Sequence, residues 1–148
     1  MAKEHNRIDI KREVVVIYAD KSPMRGEKNP GPHQIYKNPR LNLETRKMGE
    51  LYPNNIRVEM LYTGICGTDL HMVQTDPKTG YILGSAPSII PDRGLILGHE
   101  GVGRIIAVGS SVNHLDVGSY VAFESIIACY HCGPCRRGLF NQCYNARL

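Results

Sequence analysis

Four cysteines crowded near the C-terminal end constrain this chain more than any other feature. Cys129, Cys132, Cys135 and Cys143 are separated by two, two and seven residues. A thiolate cluster this dense can close around one tetrahedral metal with Zn–S bonds of about 2.3 Å. The two-residue gaps let successive sulfurs face a common centre, and the longer gap returns the fourth over the top. Gly133, Pro134 and Gly138 supply the turn chemistry that such a knuckle needs. The rival reading is a pair of disulfides, which suits a secreted protein. The N-terminal stretch MAKEHNRIDIKRE is charged and carries no apolar segment of the kind a secretory signal requires. The spacing therefore predicts a structural zinc lobe at about residues 127–145, in a chain expected in the cytoplasm.

The fifth cysteine raises a different question. Cys66 stands in Gly64-Ile65-Cys66-Gly67-Thr68-Asp69-Leu70-His71, and a second glycine-bracketed segment reads Gly98-His99-Glu100-Gly101-Val102-Gly103. A Cys and a His from separate segments can form part of a second zinc site, since catalytic zinc takes about three protein ligands and keeps one position open. Taken alone, a single Cys is more often a small inert hydrophobe, and a single His a satisfied surface or core residue. Beside a four-cysteine knuckle the two are no longer independent.

These blocks together resemble the zinc-dependent alcohol dehydrogenases of the medium-chain dehydrogenase/reductase family. Gly98-His99-Glu100 continues to Gly103, Gly109 and Val112 with the family's zinc-signature spacing, and Cys66-Gly67-Thr68-Asp69-Leu70-His71 is similar to its first catalytic-ligand segment. The run from Cys129 through Gly138, Asn141 and Cys143 is similar to its structural-zinc lobe. The likeness covers residues 13–20 and 55–148. It implies that Cys66 and His99 ligate a catalytic zinc, with Glu100 as an acidic neighbour or occasional ligand. For Glu100, pairing with a buried arginine is the competing role. Thr68 and His71 match the family's proton-relay positions, and both residues also have bland alternatives as a turn-capping hydroxyl and a surface imidazole. Two positions depart from the family pattern: Ser119 stands where Asp is usual, and Tyr130 where glycine is common.

Family members also carry a nucleotide-binding domain for NAD or NADP, which needs a GxGxxG turn. None is present: Gly101-Val102-Gly103 begins one, but Ile106 stands at the third position. The resemblance therefore implies that residues 1–148 are the N-terminal GroES-like catalytic domain of a longer enzyme, without its Rossmann domain and without the third catalytic zinc ligand. The implied whole protein transfers hydride between a zinc-bound alcohol and NAD(P). Its expected substrate is an alcohol, polyol, sugar or amino-alcohol, and its expected state a homo-oligomer. A non-catalytic zinc-knuckle module and a zinc-independent quinone or enoyl reductase are the alternatives, and the isolated chain is expected to be inactive.

Composition fits an ordinary domain, 42% hydrophobic and 22% charged with no Trp. No apolar run is long enough to span a membrane. The net charge of +4 is mild and its lysines and arginines are dispersed, so no nucleic-acid partner is expected. The chain reads as mainly β. Val14–Tyr18 forms a β-branched strand, and Leu41–Glu50 leans to strand. Residues 19–40 have loop composition. Ile56, Val58, Met60 and Tyr62 alternate as a half-buried strand leading straight into Cys66. Residues 72–97, rich in Pro and Gly, read as a long surface loop, and Val102–Val108 and Tyr120–Phe123 as further strands. Short strands with few helix signals suit a small, partly open barrel of the GroES-like kind. Neither His5 and His33 nor His114 and His131 have a context that suggests a role.

Overall fold

The computed structural model describes residues 10–84 and 90–147. His5 and Pro87 lie outside the described residues. The architecture is mainly β, with two three-stranded sheets and few short helices. The first sheet has the order β2-β1-β4, built from β1 (Lys11–Lys21), β2 (Tyr36–Lys47) and β4 (Leu95–Ile96). The second has the order β3-β5-β6, built from β3 (Ile56–Gly64), β5 (Glu100–Val108) and β6 (Tyr120–Ala122). Helices α1 (Gly67–Val73) and α2 (Gly133–Arg136) complete the elements with two single 3-10 turns.

The β-branched run at Val14–Tyr18 nucleates β1 as expected, but the ladder reaches further at both ends. β1 pairs with β2 antiparallel from Lys11↔Lys47 to Lys21↔Tyr36, so both ends of the segment read as loop are strand while its middle, 22–35, is not. Pro39 is accommodated because β2 is an edge strand and bulges there. Between the pairs Tyr18↔Arg40 and Asp20↔Lys37 the register shifts, and Asn38 takes a left-handed φ of 52°.

The segment after α1 is not merely a surface loop. Asp76 Oδ1 accepts from the amides of Lys78 and Thr79 at 2.9 and 2.7 Å, and the bridge Thr75↔Ile82 closes a tight turn around them. That turn delivers Tyr81 and Ile82 inward. Ile17, Tyr36, Met72, Ile82 and Ile90 then form the main buried cluster. The Ile90 amide donates to the Tyr36 hydroxyl at 3.1 Å, satisfying a polar group inside this cluster.

β3 forms where the alternation predicts, and Ile56 and Val58 are half-buried as expected, but the far half of the strand is not covered. Met60 is 46% and Tyr62 77% exposed. Register shifts at Arg57/Val58 and Met60/Tyr62 break the strict period of two along the ladder with β5. Between the sheets runs a groove of about 890 Å³, lined by apolar residues that include Val15, Val58, Leu97 and Phe123, with His99 among its lining residues.

Candidate metal centres

The ladder between β3 and β5 ends with Gly64 opposite Glu100. Cys66 follows one strand end and His99 precedes the other strand's start, so 33 residues of sequence separation collapse to a direct contact. Cys66 Sγ lies 2.9 Å from His99 Nε2. Gly98, with φ +90°, makes the bend before His99; a side chain there would also meet Thr63 Cγ2.

A third group joins them. Asp69 is buried, and its Oδ2 accepts from the Cys66 amide at 3.0 Å while Oδ1 accepts from the Gly98 amide at 3.4 Å. Oδ1 also stands 3.7 Å from His99 Nδ1. One carboxylate thus ties both ligand-bearing segments together. Locally the pattern is a capping box, with Cys66 as the N-cap of α1 and Asp69 as the residue that reaches back. Cys66 Sγ accepts from the Thr68 amide at 3.2 Å. The capping bond is local to this segment, whereas the bond to Gly98 exists only once the strand ends meet.

The donor atoms of Cys66, Asp69 and His99 all lie within 4.8 Å of one another. A tetrahedral zinc with ordinary bond lengths separates a sulfur and a nitrogen ligand by about 3.5 Å. The observed 2.9 Å contact is shorter, so the pair must part slightly to admit the ion. The mixed sulfur, nitrogen and oxygen set suits zinc over magnesium or calcium. Glu100 stands apart from this group: its side chain is exposed and packs over Gly64, where a Cβ would lie 2.7 Å from Oε2. Thr68 is half-buried on the first turn of α1 and His71 is exposed one turn later.

The four-cysteine lobe is a second, closed group, again with all donors within 4.8 Å. Sulfur–sulfur distances are 4.0 Å for Cys129–Cys135, 3.4 Å for Cys132–Cys135 and 3.9 Å for Cys132–Cys143. A tetrahedron of sulfurs around zinc has edges of about 3.8 Å, and a disulfide would hold its sulfurs near 2.05 Å. All five cysteines are free thiols, so the disulfide reading falls. Amides of Cys129 and Asn145 donate to Cys143 Sγ at 3.2 and 3.3 Å. The backbone amide of His131 lowers the Cys129 thiol to about 5 and that of Cys135 lowers Cys132, whereas burial pushes Cys135 up to about 12. Sulfurs held this close cannot all be thiolates without a cation among them, so the donor set fits a metal. His131 takes no place in the group; its Nδ1 pairs with the Cys129 carbonyl at 2.6 Å.

Tyr130 explains its own departure from the family pattern. Its φ of 60° lies where glycine is comfortable, and its ring rests against Phe140 with centroids 5.4 Å apart.

Residues 52–148 match the alcohol dehydrogenase GroES-like domain, and the chain belongs to that family. It is 41% identical over 102 residues to the L-arabinitol 4-dehydrogenase of Aspergillus oryzae, covering 68% of this chain and 25% of that protein. It is 37% identical over 105 residues to the D-xylulose reductase A of Aspergillus niger, covering 70% of this chain and 27% of that protein. Among solved structures, an NADP-bound protein of Sinorhizobium meliloti described as a zinc-binding dehydrogenase superposes with a TM-score of 0.55 at 32% identity, over 72% of this chain and 28% of that one. The chain thus spans about a quarter of the length of these relatives. Among the described residues no helix is long and apolar enough to cross a membrane.

Proposed function

We infer that the chain is the metal-binding part of the catalytic domain of a zinc-dependent dehydrogenase that oxidises polyols or sugar alcohols with NAD or NADP. The meeting of Cys66 and His99 at paired strand ends, beside a separate four-sulfur lobe, carries this reading. In it, Cys129, Cys132, Cys135 and Cys143 hold a structural zinc, while Cys66 and His99 hold the catalytic one. The two sheets are the open halves of a GroES-like barrel, and residues 1–148 precede a nucleotide-binding domain in the whole protein.

Cys66 and His99 would hold the zinc, which would supply a Lewis acid able to lower the pKa of a substrate hydroxyl. Every other part belongs to the chain itself. Asp69 Oδ1 stands 3.7 Å from His99 Nδ1, across the ring from the Nε2 atom that faces Cys66, where it supports the orientation of the imidazole. Thr68 Oγ1 accepts the substrate's proton as it releases its own toward His71, which is exposed one helical turn outward and hands the proton to solvent. Glu100, exposed and one residue from His99, balances charge at the rim of the site. The named activities of the two Aspergillus relatives support the polyol assignment, and the NADP-bound relative supports the nicotinamide.

Metal analysis tests the reading. The purified chain holds one zinc that resists a mild chelator and a second that exchanges readily, and Cys66→Ser removes only the second. A second metal retained equally in that variant would refute the ligand assignment.

A further inference from the structure

His99 is reached through a short and weakly paired stretch. β4 contributes only the pairs Val16↔Ile96 and Ile17↔Leu95, followed by the Leu97 amide donating to the Val15 carbonyl at 2.9 Å. Two residues of ladder leave the approach to His99 free to slide unless it is held further upstream.

The hold is found at Arg93-Gly94. Arg46 on β2 donates from Nη2 to the Arg93 carbonyl at 2.6 Å. Its Nε donates to Glu44 Oε2 at 2.9 Å, and its Nη2 also reaches the Tyr18 hydroxyl at 3.2 Å. Tyr18 in turn donates to Glu44 Oε1 at 2.7 Å, closing a ring of bonds around the guanidinium. This is the least exposed Arg–carboxylate pair among the described residues, with side chains 24% and 25% exposed against 49% to 55% in Arg40–Asp20 and Arg104–Glu59. Gly94 lies under the same cluster at φ +75°, and any side chain there would run into Val16 and the Tyr18 ring. The bond to Arg93 therefore lies six residues upstream of His99, and the intervening chain has little slack.

We propose that Arg46 is a positioning residue for the Cys66–Asp69–His99 centre, setting where His99 stands by anchoring the 91–94 turn to the β1–β2 sheet. This rests on the metal-binding reading of that centre. Ion pairs with this much exposure stabilise folds little, so the effect is geometric: Arg46 fixes the path of the chain that Gly98 then hands to Asp69. A planar guanidinium that serves Glu44, Tyr18 and a carbonyl together has no equivalent in lysine, whose ammonium is a point donor.

The test titrates Co²⁺ into the second site of the full chain, with zinc retained in the four-cysteine lobe, and follows thiolate-to-cobalt absorption. Arg46→Met weakens cobalt binding about tenfold, the scale of lost outer-shell support in metal sites. Arg46→Lys recovers part of that loss. Arg40→Met, which removes an equal charge from the same strand without touching residues 91–94, binds cobalt like the parent. Unchanged affinity in Arg46→Met, or an equal loss in Arg40→Met, overturns the proposal. If the parent itself takes up no second metal, the metal-binding reading fails, and amide exchange decides the positioning role separately. Leu95–His99 exchange faster in Arg46→Met and not in Arg40→Met; no difference between the two overturns it.

Discussion

Asp69→Ala isolates the carboxylate that joins the two ligand segments. The substitution removes an acceptor 3.0 Å from the Cys66 amide and 3.4 Å from the Gly98 amide, in a residue only 6% exposed. A hydrogen bond to a charged group contributes about 1.5–3 kcal/mol, and an orphaned buried amide costs about 1–3 kcal/mol. The Cys66 bond has good geometry and the Gly98 bond is long, so the expected loss is about 2–3 kcal/mol, close to one strong bond and well below two. Total stability of a domain is about 5–15 kcal/mol, so the change is readily seen in urea unfolding. Metal affinity at Cys66 and His99 falls in parallel by about 10–100-fold, because the imidazole loses the group that orients it. Asp69→Asn lies between, keeping one carbonyl oxygen as acceptor and losing the charge. A loss below about 0.5 kcal/mol in Asp69→Ala, together with unaltered metal binding, would show that the two segments are held by the β3–β5 ladder alone.

Cys135→Ser removes the buried member of the sulfur lobe, so zinc is released and residues 129–143 become susceptible to proteolysis, while far-UV spectra of the two sheets persist. Tightly held metal and an unchanged Tm would refute the structural role. The Tyr18–Glu44 bond gives a two-sided pH signature. The Tyr18 hydroxyl holds the Glu44 carboxyl below its ordinary value, so that contribution is complete above the ordinary value and is lost as pH falls through the lowered one. The same bond raises the Tyr18 phenol above 10.0, so its contribution is complete below that value and is lost as pH rises past the raised one. Tyr18→Phe flattens both limbs of the urea stability–pH curve relative to the parent; identical curves would remove the bond from the account.

Both metal groups were legible as residue types, for different reasons. The four sulfurs of the lobe are close in sequence, so spacing alone constrains their geometry. Cys66 and His99 needed two segments read jointly, and the ladder that brings them together could be anticipated only as two separate strands. The cap that Asp69 makes is local to the segment after Cys66, but its bond to Gly98 depends on where a distant strand begins. Arg46 carried no signal, because a guanidinium on an edge strand looks like any solvated charge until its carbonyl partner on the 91–94 turn is known. The misread segments share one cause. Pro39 and the Pro- and Gly-rich stretch after α1 have loop composition, yet a bulge admits the first and the Asp76 turn folds Tyr81 and Ile82 into the core. Met60 and Tyr62 show the converse: period-two patterning marks a strand without saying that anything covers its apolar side.

The pairing of Gly64 with Glu100 also separates the length of a connection from the placement of its ends. Cys66 and His99 stand beside the paired ends of β3 and β5, so the residues between α1 and the 91–94 turn do not have to span a particular distance. Each doubling of such a closed loop adds only about 0.6 kcal/mol of entropy cost. Extra residues grafted at the exposed tip near Pro77–Thr79 disturb the Asp76 turn that delivers Tyr81 and Ile82 to the core, but leave the β3–β5 pairing next to the two donors in place. Within the stretch, the constraint falls on Asp69, on the 91–94 turn and on Gly98, and the length of the chain between α1 and that turn is a separate matter from where the donors stand.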